Sequence, residues 1–186
     1  MAIFPSTAIP SGAEAFTIDQ SLRFEDGDTA YLSRTPAGAS NRQTWTWSAW
    51  VKRGNLGAGY LFSSAGTSES TYFDFRFTGG NGLAIGHWDG GGLETNALFR
   101  DCSAWIHIVL QFDSTQSTAT DRAKLYINGV RDTDLSTGSG AIDEDTDYGI
   151  NGTTQFNLGA SPSPSSYFDG YLAEVHFIDG TALTPT

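Results

Sequence analysis

One cysteine, Cys102, stands alone in 186 residues, so no disulfide can close within the chain. The bridged framework of a small secreted module is thereby excluded, and a reducing cytoplasm is a compatible place to fold. Positive charge is also scarce, with 10 basic residues against 21 acidic ones and a net charge of −11. A field of that sign repels phosphate, so nucleic acid is not an expected partner. Residues 1–20 carry no Lys or Arg and no sustained apolar run, so neither a signal peptide nor membrane insertion is expected. Methionine occurs once and lysine is rare, which leaves few of the residues that favour helices.

Aromatics and glycine are abundant, with 12 Phe, 7 Tyr, 5 Trp and 22 Gly, a composition that suits strands joined by tight turns. Trp105 to Phe112 alternates, Ile106, Ile108, Leu110 and Phe112 falling on one face and His107, Val109 and Gln111 on the other. Lys124 to Val130 reads as its antiparallel partner, ending in the Asn128-Gly129 pair that a type I′ hairpin turn favours. Phe73, Phe75 and Phe77 form a second inward stripe, and Trp45, Trp47, Ala49 and Val51 a third. Opposite this third stripe lie Thr44, Thr46, Ser48, Trp50 and Lys52, where Trp50 is the odd large residue. Strand signals recur eleven times, at 22–24, 30–33, 44–52, 60–64, 71–77, 83–88, 95–99, 105–112, 123–128, 155–158 and 170–178. The expected class is all-β, two antiparallel sheets packed as a jelly-roll sandwich.

Residues 1–20 hold Pro5, Pro10 and the isolated large residues Ile3, Phe4, Ile9 and Phe16, and read as an extended assembly arm preceding one domain at 21–186. Two long segments, an acidic one at 132–153 and a Ser-Pro-rich one at 159–167, are where function is expected on a rigid sandwich.

Several segments together resemble the laminin-G-like, concanavalin A-like lectin/glucanase jelly rolls. They are Ser21-Leu22-Arg23-Phe24 with Tyr31-Leu32-Ser33, the Trp45-x-Trp47-Ser48-x-Trp50 strand, Ser103-Ala104-Trp105-x-His107-x-Val109, Leu125-Tyr126-x-Asn128-Gly129, and Phe168-Asp169-Gly170-Tyr171 through Val175. Arg34-Thr35-Pro36 and Phe177 to Leu183 look more narrowly like the versions of this domain in virion proteins of tailed bacteriophages. That resemblance implies a protein folded in the host cytoplasm, displayed on the virion, oligomeric there, and bound to other virion proteins. The expected role is a capsid decoration protein held through residues 1–20, the alternative being a module of a tail fibre that binds host-surface glycans.

No enzyme is expected. A glucanase on this fold needs two carboxylates flanking the scissile bond along one strand, and no Glu-x-Asp-x-Glu run occurs. His87, His107 and His176 are scattered, and nothing in the sequence ties them to Cys102 or to a serine. No cofactor is expected. Asp143, Asp145 and Asp147 alternate as in the opening of a calcium loop, but the glycine comes one position late and Thr154 stands where an EF-hand has Glu. A solvated acidic loop is the favoured reading. Laminin-G-like relatives bind calcium through loop carboxylates, which keeps those three residues as the metal alternative. For carbohydrate, the leading candidate is the turn His87-Trp88-Asp89, whose following glycines would expose an aromatic platform beside a carboxylate. Tyr167, Trp50 and Tyr72 are further platforms.

Overall fold

A computed structural model of the chain describes residues 18–68, 70–87, 90–137 and 141–185. The described residues form thirteen strands and one short 3-10 turn, Ala119–Asp121. The strands are β1 (Leu22–Phe24), β2 (Leu32–Arg34), β3 (Thr44–Arg53), β4 (Gly59–Ser64), β5 (Phe73–Phe77), β6 (Leu83–Gly86) and β7 (Gly92–Thr95). They continue with β8 (Ile106–Asp113), β9 (Ala123–Ile127), β10 (Val130–Asp132), β11 (Leu135–Thr137), β12 (Phe156–Leu158) and β13 (Gly170–Asp179). Two antiparallel sheets result, one of six strands in the order β1-β13-β3-β8-β9-β10 and one of seven in the order β11-β7-β6-β5-β4-β12-β2.

The three aromatic stripes meet between the sheets as strand parity requires. Trp45, Phe73, Phe75, Phe77 and Phe112 are all fully buried. Trp45 stacks on Phe112 at 4.7 Å and meets Phe73 edge-on at 5.4 Å, while Trp47 meets Phe75 edge-on at 5.6 Å. Each such ring contributes roughly 2–3 kcal/mol of burial, so a one-residue slip of β3 would expose two tryptophans and is strongly disfavoured.

The Asn128-Gly129 turn forms as its sequence requires, with φ of 50° and 82° joining β9 to β10. The strand expected at 95–99 lies earlier, at Gly92–Thr95, because Gly92 is a strand residue. Its φ is 137°, and a Cβ there would collide with the Ile85 carbonyl of the neighbouring strand, so only glycine permits this pairing. β10 and β11 are additional short strands, β11 lying inside the acidic segment and β10 running into it from the Asn128-Gly129 turn. A bulge between Ala173 and His176 interrupts the pairing of β13 with β3, and Glu174 within it has φ of 48°.

Candidate functional site

The outer face of the six-stranded sheet is built by the residues that β3 and β8 turn away from the core. Opposite residues in an antiparallel pair share a face, and the register sets Trp50 against His107 and Ser48 against Val109. The Trp50 and His107 rings lie 5.1 Å apart, and Ser48 Oγ is 3.0 Å from His107 Nε2. The Asn128 side-chain oxygen accepts the His107 backbone N–H at 2.8 Å, so the hairpin turn holds the Asn128 amide beside the imidazole. Trp105, one residue ahead of β8, extends the aromatic surface towards Tyr171 at 6.3 Å.

The far wall of this surface is the C-terminal segment. Thr46 Oγ1 donates to the Thr181 carbonyl at 2.7 Å and accepts the Leu183 N–H at 2.8 Å, which ties Leu183, Thr184 and Pro185 alongside β3. Between them lies a shallow groove of about 780 Å³, floored by Ser48, Trp50, Trp105, His107 and Asn128. Among the described residues that line it, none carries a carboxylate, guanidinium or ammonium group. Burial, and secondarily the neighbouring His176, pushes the His107 pKa down, so the imidazole is neutral at pH 7. The groove therefore offers two indole faces and a set of neutral donors and acceptors.

The outer face of the seven-stranded sheet carries a different group. Asp74 is 1% exposed, its carboxylate paired with the Arg76 guanidinium and accepting the Tyr72 hydroxyl at 2.6 Å. Arg76 in turn lies over the Tyr60 ring at 5.7 Å. Burial and the Asp74 charge raise the pKa of both tyrosines, which stay protonated. The Ser-Pro-rich segment folds over the next strands, where Ser63 donates to the Ala160 carbonyl at 2.7 Å and Asn157 to that of Ser161 at 3.0 Å. These polar groups bond mainly to one another.

The residues singled out in the sequence are dispersed. Trp50 and Tyr72 stand on opposite outer faces of the sandwich. His87 follows Gly86, and since Gly86 pairs with outward Asp74, parity turns His87 inward, where it is 7% exposed against Tyr148. That orientation takes it away from any ligand on the outer face. Trp88 and Asp89 lie outside the described residues, as do Ile3, Phe4, Ile9 and Phe16. Tyr167 packs on Tyr31 at 6.0 Å and donates its hydroxyl to the Pro164 carbonyl. It sits by the β2 edge, four strands from the His87 end of β6, roughly 19 Å at the usual strand spacing.

Asp143, Asp145 and Asp147 are exposed and do not converge within ligand reach of one another. The backbone N–H of Asp145 donates to Ser114, and the Asp147 carboxylate turns to Arg42. Carboxylate oxygens do converge at Glu25, Asp26 and Asp169, all within 4.8 Å, and this trio could hold a hard cation. The Asn55 amide already donates there, to Asp26 at 3.0 Å and Asp169 at 3.4 Å. Burial and then the charges of Glu25 and Asp26 raise the Asp169 pKa.

The family model described as the concanavalin A-like lectin/glucanases superfamily matches residues 26–186. The chain belongs to this superfamily. No curated protein matches it in sequence. Among solved structures, this concanavalin A-like domain is similar to the CBM40 of Ruminococcus gnavus IT-sialidase bound to α2,3 sialyllactose, at 13% identity and a TM-score of 0.56, covering 91% of this chain and 93% of that one. It is also similar to domain 4 of AbnA, a GH43 arabinanase of Geobacillus stearothermophilus, in complex with arabinotriose, at 19% identity and 0.54 over 88% and 68%. A third is the heptameric SAP-like pentraxin of Limulus polyphemus, at 15% and 0.57 over 83% and 71%. At these identities the likeness speaks to the fold.

The groove residues other than Trp50 were not singled out as a site in the sequence. One signal was legible: Trp50 on the polar face of its strand. The rest needed the register of three strands.

Proposed function

We propose that this concanavalin A-like domain is a non-catalytic glycan-binding module whose ligand lies in the groove over Trp50 and Trp105. The observation that carries the reading is the composition of the groove, two indole rings beside Ser48, His107 and Asn128 in an open trough of about 780 Å³. Indole faces suit the apolar face of a sugar ring, and fixed hydroxyl, imidazole and amide groups suit its hydroxyls. Neutral lining in an acidic protein favours a neutral oligosaccharide over an acidic one. The carbohydrate-bound relatives, with sialyllactose and arabinotriose, support glycan recognition as the job of the fold. They favour it over capsid decoration through residues 1–20, an arm whose first 17 residues lie outside those described. Display on a bacteriophage particle, the setting implied by the sequence resemblance, would place the groove before host-surface glycans.

Titration of the full chain with neutral gluco- and arabino-oligosaccharides, followed by calorimetry and tryptophan fluorescence, tests the reading. Saturable binding that weakens about tenfold or more in Trp50→Ala is expected. Absence of binding across the panel, or binding indifferent to Trp50, overturns it.

A further inference from the structure

Arg53 is the last residue of β3 and turns into the sandwich, where it is 4% exposed. Its guanidinium lies over the Phe77 ring at 4.4 Å. Nη1 donates to Asn81 Oδ1 at 3.1 Å and to the Phe99 carbonyl at 2.6 Å, and Nη2 donates to the Gly57 carbonyl at 2.7 Å. These acceptors are neutral, and among the described residues no carboxylate lies within ion-pair distance. A guanidinium has five N–H donors; here Nε–H and one Nη2–H have no described acceptor, and on a guanidinium Nε–H and its neighbouring Nη2–H form one side edge. A buried charge without a counter-charge is costly, and burial accordingly lowers the Arg53 pKa.

The surroundings repeat the pattern. Arg23, Arg42, Arg76, Arg122, Lys124 and Arg131 are each within ion-pair reach of an acidic side chain. Arg34, Lys52, Arg53 and Arg100 are not, among the described residues; Arg34 lies at the β2 edge, whereas Arg53 and Arg100 both line a cavity of about 320 Å³ at one end of the sandwich, with Lys52 acting on its Asp101. Asp101 borders the same cavity, but its carboxylate is held by the backbone N–H and hydroxyl of Ser103, at 2.8 and 2.6 Å. The remaining wall is apolar, with Val51, Leu98, Phe99, Ala104 and Ile106.

From the side edge of Arg53, the unpaired Arg100 and the apolar wall, we infer that this cavity is a second ligand site, separate from the groove, for a small organic carboxylate with an apolar body. The carboxylate takes the two parallel N–H donors of Arg53, the geometry in which guanidinium and carboxylate match best. The body packs against Leu98, Phe99 and Ile106. Bringing the anion in supplies the counter-charge that the fold omits.

The full chain is titrated with sodium benzoate, with benzyl alcohol as the neutral analogue and sodium sulfate as the compact anion, at constant ionic strength. Benzoate is expected to raise the melting temperature saturably and to shift the backbone amide resonances of Leu98 to Asp101. Benzyl alcohol and sulfate each bind about tenfold more weakly or not at all, since each lacks one half of the recognition. Leu98→Trp, which fills the cavity from its exposed rim, is expected to abolish the benzoate response while oligosaccharide binding in the groove persists. Arg53→Lys keeps the charge but loses the side edge, and should abolish it too. Should Arg53→Lys fail to fold, Leu98→Trp decides alone. Equal responses to benzoate and benzyl alcohol, equal responses to benzoate and sulfate, or a benzoate response undiminished in Leu98→Trp overturns the assignment.

Discussion

Asp74 and Gly86 face each other across the β5–β6 pair, and the missing side chain of Gly86 is what lets the Asp74 carboxylate and the Arg76 guanidinium lie flat on the sheet. A Cβ at position 86 would stand 2.6 Å from Arg76 Nη1 and 2.7 Å from Asp74 Oδ2. Gly86→Val is therefore expected to displace the ion pair and cost about 1–3 kcal/mol, as overpacking against a buried polar pair does. Urea unfolding of the two proteins measures it; an unchanged midpoint would show that the pair does not rest on this glycine.

In the core, Phe112 is fully buried against Trp45 and Phe73. Phe112→Ala should cost about 3–5 kcal/mol, read from the same unfolding curves. A loss under about 1 kcal/mol would mean that the aromatic stack does not clamp the sheets.

His107 connects stability to acidity. Its folded pKa lies below its ordinary value because of burial and the neighbouring His176, so the unfolded chain takes up the proton more readily. Stability is full at and above pH 7 and declines as pH falls through the ordinary histidine value of about 6.5 towards the lower folded value. His107→Gln should flatten this part of the pH profile of the melting temperature. A profile identical to that of the unaltered chain would contradict the assignment.

Asp169 acts in the opposite sense. Its folded pKa is raised by burial and by Glu25 and Asp26, so ionisation opposes folding above that value, and the cost is relieved as pH falls through it. Asp169→Asn is expected to raise the melting temperature at pH 7 and to change it little at pH 3. A lower melting temperature at pH 7 would show that the carboxylate is held by attraction.

Much of the architecture was legible because period-two patterning is local. β3 alone displays Trp45, Trp47, Ala49 and Val51 on one side and leaves Trp50 conspicuous on the other, and Asn128-Gly129 announces its own turn. Gly92 misled, since glycine in a run signals a turn, whereas here it permits two strands to approach. The acidic run at 143–147 was visible only as a sequence, and its side chains diverge. The trio of Glu25, Asp26 and Asp169 joins the β1–β2 connection to the start of β13, and no local pattern marks it. The groove was hidden for the same reason. Ser48 and His107 are 59 positions apart and meet only through the register of β3 with β8, while the wall at Leu183 depends on Thr46, 137 positions earlier.

A glycan seated on the Trp50 face would perturb that indole directly. The most direct measurement is nuclear magnetic resonance of the labelled full chain during titration with the oligosaccharide that binds best, following the backbone amides together with the indole N–H signals of all five tryptophans. Saturable shifts are expected at Trp50 and Trp105 while the core signals of Trp45 and Trp47 stay still. Shifts confined to the Tyr60, Tyr72 and Arg76 face, with Trp50 and Trp105 unmoved, would contradict binding on the Trp50 face.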